Sequence, residues 1–224
     1  MNTLFLILLG VLPSFAWLIF FVEEDCHPEP RRLLLYTFLS GILITVLALQ
    51  LQILLNQYLI DRGIDQYSAL SMIFLTAIEE VAKFFAAFWI IRGRKEFDEP
   101  VDAMIYMIVA ALGFAAVENV SLVFQNLNAF SPGQAIIEVT TLRFVGATLL
   151  HALSSAIVGY YWARAVFKIH KSILIIIGLA IATLLHASFN YLILNLVTLI
   201  WPIVLLFFIG IFVFTDFEIL KKYT

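Results

Sequence analysis

Long apolar stretches fix the class of fold that this chain can adopt. A helix needs about 20 mainly apolar residues to cross the roughly 30 Å hydrocarbon core of a bilayer. The chain has 224 residues, of which 63% are hydrophobic. Its apolar stretches run approximately over residues 2–22, 33–59, 67–91, 101–125, 138–163, 172–195 and 197–216. We therefore predict an all-α, polytopic membrane bundle of about seven transmembrane helices in a single domain, residues 1–224.

Two details of this count stay open at the level of sequence. The break between the last two stretches, around Asn195–Pro202, is weak, so six spans with a re-entrant end are the alternative. The first stretch has no basic flank before it and no convincing small-residue cleavage site. We expect it to be a retained helix rather than a cleaved signal peptide.

The distribution of basic residues predicts how the bundle is oriented. The loops after odd-numbered spans hold ten basic residues, namely Arg31, Arg32, Arg92, Arg94, Lys95, Arg164, Lys168, Lys171, Lys221 and Lys222. At the opposite ends of the spans lie only Arg62, in the loop after span two, and Arg143, at the start of span five. Because basic loops remain cytoplasmic, we expect the N-terminus outside and the C-terminus in the cytoplasm. No basic stripe of the kind that binds nucleic acid is present in the sequence.

Three charged side chains interrupt the third apolar stretch. Glu79, Glu80 and Lys83 occupy one side of a helix, and each central charge costs about 2.5–3.5 kcal/mol in a membrane. They can therefore face only the interior of the bundle. One lysine cannot neutralise these two carboxylates together with Glu118 of the fourth span, so some of the acids must be protonated, hydrated or bound to metal.

Each of spans four to six adds one further polar patch. These patches are Glu118 with Asn119, His151 with Ser155 and Gly159, and His186 with Asn190. Taken singly, the histidines could be packing residues, and Ser155 with Gly159 could be a small-residue contact seam. Taken together, they predict one buried polar site with its main side chains within about 10 Å. The candidate site residues are Glu79, Glu80, Lys83, Glu118, Asn119, His151, His186 and Asn190.

Known intramembrane chemistries narrow what such a site does. No histidine pair flanks a glutamate as in zincins, and the aspartates all lie at span ends or in loops. Ser154 and Ser155 are not in a glycine-flanked turn. Activation of water by a carboxylate, with histidines and an amide polarising a carbonyl, fits the residues that remain. A proton-coupled transporter and a non-catalytic scaffold stay as alternatives. The sequence has no inverted repeat of the motifs, which speaks against the transporter.

At these positions the chain resembles a known family. Glu79-Glu80-Val81-Ala82-Lys83 is similar to its first motif and Phe114-Ala115-Ala116-Val117-Glu118-Asn119 to its second. His151 with Gly159, and His186 with Asn190, match the other two. This is the PrsW family of bacterial intramembrane proteases, in the superfamily of the type II CAAX prenyl endopeptidases and bacteriocin-immunity-like membrane proteins. Within the second motif, the position of Glu118 is a glutamate in PrsW proteins and a histidine in the CAAX endopeptidases. The likeness extends to Pro13, residues 23–32 and Phe97-Asp98-Glu99.

The resemblance implies a site-1 protease of the bacterial cytoplasmic membrane that clips a single-span anti-sigma factor on its outer side. Carried over by position, Glu79 would be the general base and Glu118 would assist it. Glu80 and Lys83 would set the charge state of Glu79. His186 and Asn190 would stabilise the oxyanion, and His151 would line the cavity.

The cofactor stays open at this stage. Two glutamates and two histidines could work without metal or could hold one zinc ion with an open water position. In the second case the ligands would be Glu79, Glu118, His151 and His186. A scaffold or immunity-like protein is also still allowed, because the superfamily contains such members.

Overall fold

The computed structural model describes residues 3–126, 146–168, 171–196 and 198–223. All regular elements in these ranges are helical, which confirms the predicted all-α membrane bundle. The seven α-helices are α1 (Thr3–Val22), α2 (Arg31–Asp61), α3 (Ala69–Ile91), α4 (Pro100–Asn126), α5 (Thr148–Ala163), α6 (Ile173–Asn195) and α7 (Ile200–Lys221), and a π-helical turn, Arg164–Lys168, continues α5.

Length and composition allow five of these helices to cross a membrane by themselves: α1, α2, α4, α6 and α7. Helix α3 falls outside this group because it carries Glu79, Glu80 and Lys83. Helix α5 has 16 residues as described, and the first part of the predicted span, 138–145, lies outside the described residues. The chain is a multi-pass membrane protein.

The end of the chain forms a separate helix rather than a re-entrant continuation of α6. Helix α6 ends at Asn195 and α7 begins at Ile200. At about 1.5 Å per residue, the 22 residues of α7 cover roughly 33 Å, enough to cross the hydrocarbon core. The described residues therefore contain seven α-helices, with the end of the chain as a helix of its own.

Helix α4 is the central element of the bundle. Apart from glycine, every residue from Val101 to Ala116 is at most 2% exposed, so this stretch is surrounded on all sides. Helices α1, α2 and α5 make its main contacts. A helix that is apolar on every face suits a position inside a protein or within a membrane. Because α4 also carries Glu118, its burial brings that carboxylate into the protein interior.

Two glycines allow α2 and α4 to cross at close range. A Cβ added to Gly41 would lie 2.1 Å from the carbonyl oxygen of Ala110, and one added to Gly113 would lie 2.1 Å from that of Phe38. No side chain fits at either position without separating the helices. Small residues at such crossings are typical of membrane helix pairs.

Gly159 plays the corresponding part between α5 and α4. A Cβ there would lie 2.6 Å from the carbonyl oxygen of Ala103. The interpretation of Gly159 as part of a small-residue contact seam is therefore confirmed. Ser155, which the same interpretation included, instead approaches a carboxylate oxygen of Glu80 at 3.4 Å.

The loops after α1 and α3 meet at one end of the bundle, which we call the C-terminal face because α7 also ends there. His27 Nδ1 lies 2.9 Å from Glu99 Oε1, and Lys221 Nζ lies 2.7 Å from Glu24 Oε2. The opposite end carries the loop between α2 and α3. The basic loops after α1 and α3 thus lie at the same end of the bundle. The predicted orientation places both of them on one side of the membrane.

Candidate active site

Glu80 is the most highly connected polar side chain of the bundle interior. It is fully buried near the middle of α3, a helix capped at its start by the Ser68 hydroxyl, which accepts from the Ser71 amide. Glu80 Oε1 accepts from Lys83 Nζ at 2.6 Å and from Ser154 Oγ at 3.0 Å. His186 Nδ1 lies 2.7 Å from the same oxygen. Glu80 therefore joins three helices, α3, α5 and α6.

Lys83 links this carboxylate to His151. Its ammonium is fully buried. It lies 2.6 Å from Glu80 Oε1 and 3.1 Å from His151 Nδ1. A lysine ammonium can only donate hydrogen bonds, so His151 Nδ1 must accept, and the network assigns the ring hydrogen to Nε2. His151 Nε2 in turn lies 2.7 Å from Glu118 Oε2. The N–H of this imidazole is thus directed at Glu118.

His186 has the opposite arrangement. Its Nδ1 faces the ionised Glu80, so Nδ1 carries the hydrogen and Nε2 presents a lone pair. That nitrogen lies 3.6 Å from Glu79 Oε2. Glu79 Oε2 is buried and has no hydrogen-bond partner among the described residues. Two acceptors, one carboxylate oxygen and one imidazole nitrogen, therefore face the same small space.

Gln52 of α2 holds the other oxygen of Glu79 and was missed by the sequence analysis. Its Nε2 donates to Glu79 Oε1 at 2.7 Å and to the Leu75 carbonyl at 3.1 Å. A glutamine in a long apolar helix carries no motif by itself. The only available signal was an amide at membrane depth in the second span, because such residues usually face the bundle interior.

The two candidate asparagines differ in their surroundings. Asn119 is buried and its Nδ2 donates to Thr148 Oγ1 at 3.0 Å, which ties α4 to the start of α5. Asn190 is half-buried one helical turn after His186. Asn119 thus supports the site from the position next to Glu118, while Asn190 lies on the same stretch of α6 as His186.

Comparison with known proteins assigns the family. The PrsW family of intramembrane metalloproteases matches residues 29–215 of the chain. The chain belongs to the PrsW family.

Similar proteins bear the name Protease PrsW. That of Geobacillus kaustophilus is 31% identical over 169 residues, which cover 74% of this chain and 69% of the relative. That of Bacillus subtilis is 28% identical over 81% of this chain and 79% of its own, and that of Clostridioides difficile is 25% identical over 90% and 83%. No solved structure matches the chain. This PrsW family member is accordingly an intramembrane peptidase.

The PrsW family is described as metalloproteases, so we tested whether its site residues here fit a metal. One ligand atom each from Glu79, His151 and His186 lie within 4.8 Å of one another. Two imidazoles and a carboxylate match the composition of catalytic zinc sites. Glu79 Oε2 and His186 Nε2 both present free lone pairs. His151 does not fit, because Lys83 occupies its Nδ1 and its Nε2 carries a hydrogen directed at Glu118.

The site of this PrsW family member lies nearer the end of the bundle opposite the C-terminal face. Glu118 precedes the end of α4 at Asn126 by eight residues, which corresponds to about 12 Å along the helix axis. His151 lies in the first turn of α5 as described. Glu118 is also the most open of the ion-paired site acids, with 20% of its side chain exposed.

A second group of acids, at the C-terminal face, was noted in the sequence only for its family resemblance. Glu29 accepts from the Tyr106 hydroxyl at 2.6 Å and is buried beside Asp102. Burial raises the pKa of Glu29 to about 8 and raises that of Asp25 above its ordinary value. These acids lie far from Glu79 and take no part in the site described above.

Proposed function

We propose that this intramembrane protease cleaves a single-span membrane protein such as an anti-sigma factor, on the outer side of the bacterial cytoplasmic membrane, with Glu79 as the general base. The observation that carries the proposal is the pair formed by Glu79 Oε2 and His186 Nε2, 3.6 Å apart. The conclusion that the chain is an intramembrane peptidase stands on its family. The base, the substrate class and the side of the membrane are our proposal.

The two facing acceptors suit one water molecule. A water donating to both atoms at about 2.8 Å spans a gap of this size. Both of its hydrogens are then engaged, and its lone pairs point away from Glu79 and His186 towards an incoming carbonyl. The buried, unpartnered state of Glu79 Oε2 supports this arrangement, because an unpaired carboxylate oxygen is costly in a low-dielectric interior.

The proposed reaction is a direct hydrolysis. The water oxygen adds to the carbonyl carbon of the scissile bond while Glu79 takes its proton, and the carbonyl oxygen becomes an oxyanion. The carbon–nitrogen bond then breaks, and the leaving nitrogen takes the proton back. The products are a carboxylate and an ammonium group, which together take up the oxygen and both protons of the water. Positioned acid–base catalysis of this kind contributes about 10²–10⁴-fold.

The oxyanion needs a hydrogen-bond donor. His186 offers a lone pair in the tautomer set by Glu80, so it becomes a donor only after it accepts a proton. Asn190, four residues later on the same helix, carries two amide hydrogens. We assign the first donor role to Asn190 and the later one to His186, which carries the second proton of the water until that proton passes to the product amine.

Glu80 and Lys83 act through these residues rather than on the substrate. The Glu80 carboxylate orients the His186 ring and fixes its tautomer, and the Lys83 ammonium balances the buried charge of Glu80. Glu118 assists by holding His151 through its Nε2, and the adjacent Asn119 ties this part of α4 to the start of α5. We propose that this network works without a metal, because His151 directs an N–H rather than a lone pair at Glu118.

The depth of the site suits cleavage near the outer end of a substrate helix. Under the predicted orientation, the end opposite the C-terminal face is the outer one, and Glu118 lies about 12 Å from it along α4. A helical peptide bond is shielded by its own hydrogen bonds. We therefore expect the cleaved segment to contain residues that weaken the helix there.

Co-expression with candidate anti-sigma factors tests the proposal. The wild-type chain should produce a truncated substrate, mapped by mass spectrometry to the outer part of its span, and Glu79→Gln should reduce this product about 100-fold or more. The matched control is Glu23→Gln, at an exposed position in the α1–α2 loop, which should cleave like wild type. Equal cleavage by wild type and a folded Glu79→Gln variant would remove Glu79 as the base.

A further inference from the structure

Two loops bring a second set of carboxylates together at the C-terminal face, well away from the active site. Asp25 lies between α1 and α2, Glu99 lies between α3 and α4, and Asp102 is in the first turn of α4. Asp102 precedes Glu118 by sixteen residues on α4, which corresponds to about 24 Å along the axis. This carboxylate group is therefore separate from the catalytic network.

Asp25 and Asp102 are buried, the Glu99 side chain is 22% exposed, and the group is incompletely partnered. Asp25 is 7% exposed and Asp102 is 2% exposed. Asp25 Oδ2 and Glu99 Oε2 are both buried without any hydrogen-bond partner among the described residues. An ionised oxygen in this state costs free energy unless a charge or a donor compensates it. Two such oxygens in adjacent side chains indicate a missing positive partner.

The described side chains supply little positive charge here. Among the described residues, this group forms one ion pair, between His27 Nδ1 and Glu99 Oε1 at 2.9 Å. The His27 side chain is 70% exposed. Asp25 Oδ1 accepts from the His27 amide, and Asp102 Oδ2 accepts from the amides of Asp98 and Glu99. These bonds shape the loops but leave the two buried oxygens uncompensated.

The geometry of the group matches one ion. One oxygen from each of Asp25, Glu99 and Asp102 lies within 4.8 Å of the others, which is the largest separation that two metal–oxygen bonds of about 2.4 Å can span. All three ligands are carboxylates, which favour hard cations such as Ca²⁺ and Mg²⁺. Glu99 and Asp102 also line a cavity of about 380 Å³, which leaves room for coordinating water.

We propose that Asp25, Glu99 and Asp102 bind a divalent cation of the Ca²⁺ or Mg²⁺ class that fastens the α1–α2 loop to the α3–α4 loop. The cation holds the cytoplasmic ends of the first four helices together under the predicted orientation. It serves the packing of the bundle and takes no part in the hydrolysis at Glu79. The proposal is thus independent of the proposed function.

Thermal unfolding of the purified chain in detergent tests the site. After treatment with EDTA and desalting, addition of Ca²⁺ or Mg²⁺ alone should raise Tm by roughly 5 °C or more at a hundredfold excess over Kd. Comparison of the two ions distinguishes a calcium site from a magnesium site. Calorimetric titration should give one ion per chain, because the three ligands share one centre.

Variants separate a cation site from ordinary loop packing. Asp25→Asn and Glu99→Gln should abolish the Tm response, yet without cation they should be at least as stable as wild type because they relieve carboxylate repulsion. Glu23→Gln, in the same loop but exposed, should respond like wild type. If one of the two variants does not fold, the proposal is tested by calorimetry on the other. Wild type should bind one cation per chain, and the folded variant should bind none. No Tm shift and no binding with either ion, or an unchanged response in both variants, overturns the proposal.

Discussion

The side-chain amide of Gln52 donates to Glu79 Oε1 across 2.7 Å, and it comes from α2, a helix outside the group of spans predicted to form the site. This bond leaves Glu79 Oε2 as the only oxygen of that carboxylate that faces His186. A carboxylate with one oxygen held and one free has a defined direction for taking a proton. Helix α2 therefore contributes the alignment of the proposed base.

Gln52→Leu should slow cleavage by about 10–100-fold, the range typical of residues that orient a reactive group. The effect should fall on kcat, with KM nearly unchanged, because Gln52 touches Glu79 and not the substrate. Gln50→Leu, an exposed position two residues earlier, is the control and should cleave normally. An equal loss in both variants would indicate that packing of α2, rather than the bond to Glu79, is responsible.

Substitutions at Glu80 and Lys83 should have different effects on the stability of the protein and on its cleavage activity. Lys83→Met leaves a fully buried carboxylate without its cation and should destabilise the protein by about 3–5 kcal/mol. Glu80→Gln combined with Lys83→Met should restore most of that loss, yet cleavage should stay reduced, because an amide oxygen orients His186 less strongly than a carboxylate. Glu218→Gln, at an exposed ion pair, should cost less than about 1 kcal/mol. Recovery of full activity in the double variant would argue against the orienting role of Glu80.

Metal dependence should be absent at the active site. We expect 1,10-phenanthroline, in buffer that contains Mg²⁺ and Ca²⁺, to leave cleavage unchanged. His151→Ala should be at least tenfold less damaging than Glu79→Gln, since His151 contacts Lys83 and Glu118 and does not take the proton in the proposed reaction. Loss of activity with the chelator and recovery with zinc would instead make Glu79, His151 and His186 a metal centre.

The orientation in the membrane can be read by labelling single cysteines in a Cys26→Ser background. Gln66, Lys95 and Lys171 are all exposed, so a cysteine at each position is accessible from its own side. An impermeant reagent outside intact cells should label position 66 and not positions 95 or 171, because basic loops stay in the cytoplasm. A cysteine at position 132, which lies outside the described residues, is expected to label with position 66. The reverse pattern would place the site on the cytoplasmic side.

Hydropathy and charge predicted the helices well because both depend on local composition. The predicted third span, 67–91, corresponds to α3 at Ala69–Ile91, and the predicted fourth, 101–125, to α4 at Pro100–Asn126. The charged triplet of α3 had to face inward, and the polar patches of spans four to six predicted that Glu118, His151 and His186 would share one site with Glu79, at positions that also match the motifs of the family. Their side chains do lie together, with His151 on Glu118 and His186 beside Glu79.

Contacts between distant elements could not be predicted in the same way. Gln52 is one of four side-chain amides in the 31-residue α2, and only the packing of α2 on α3 aligns it with Glu79. The direction of each imidazole also required the structure, because Lys83 and Glu80 set which nitrogen carries the hydrogen. Asp25 and Glu99 are separated by two helices in sequence, so only the fold shows that their loops meet.

The glycine crossing of α2 and α4 has a consequence for genetics. Gly41 and Gly113 contain no functional group, yet a methyl group at either one would meet a backbone carbonyl oxygen of the other helix. The displaced helices are those that carry Gln52 and Glu118. A random screen for inactive alleles should therefore return Gly41 and Gly113 together with Glu79, and their phenotype would mimic a catalytic defect while every reactive side chain is intact.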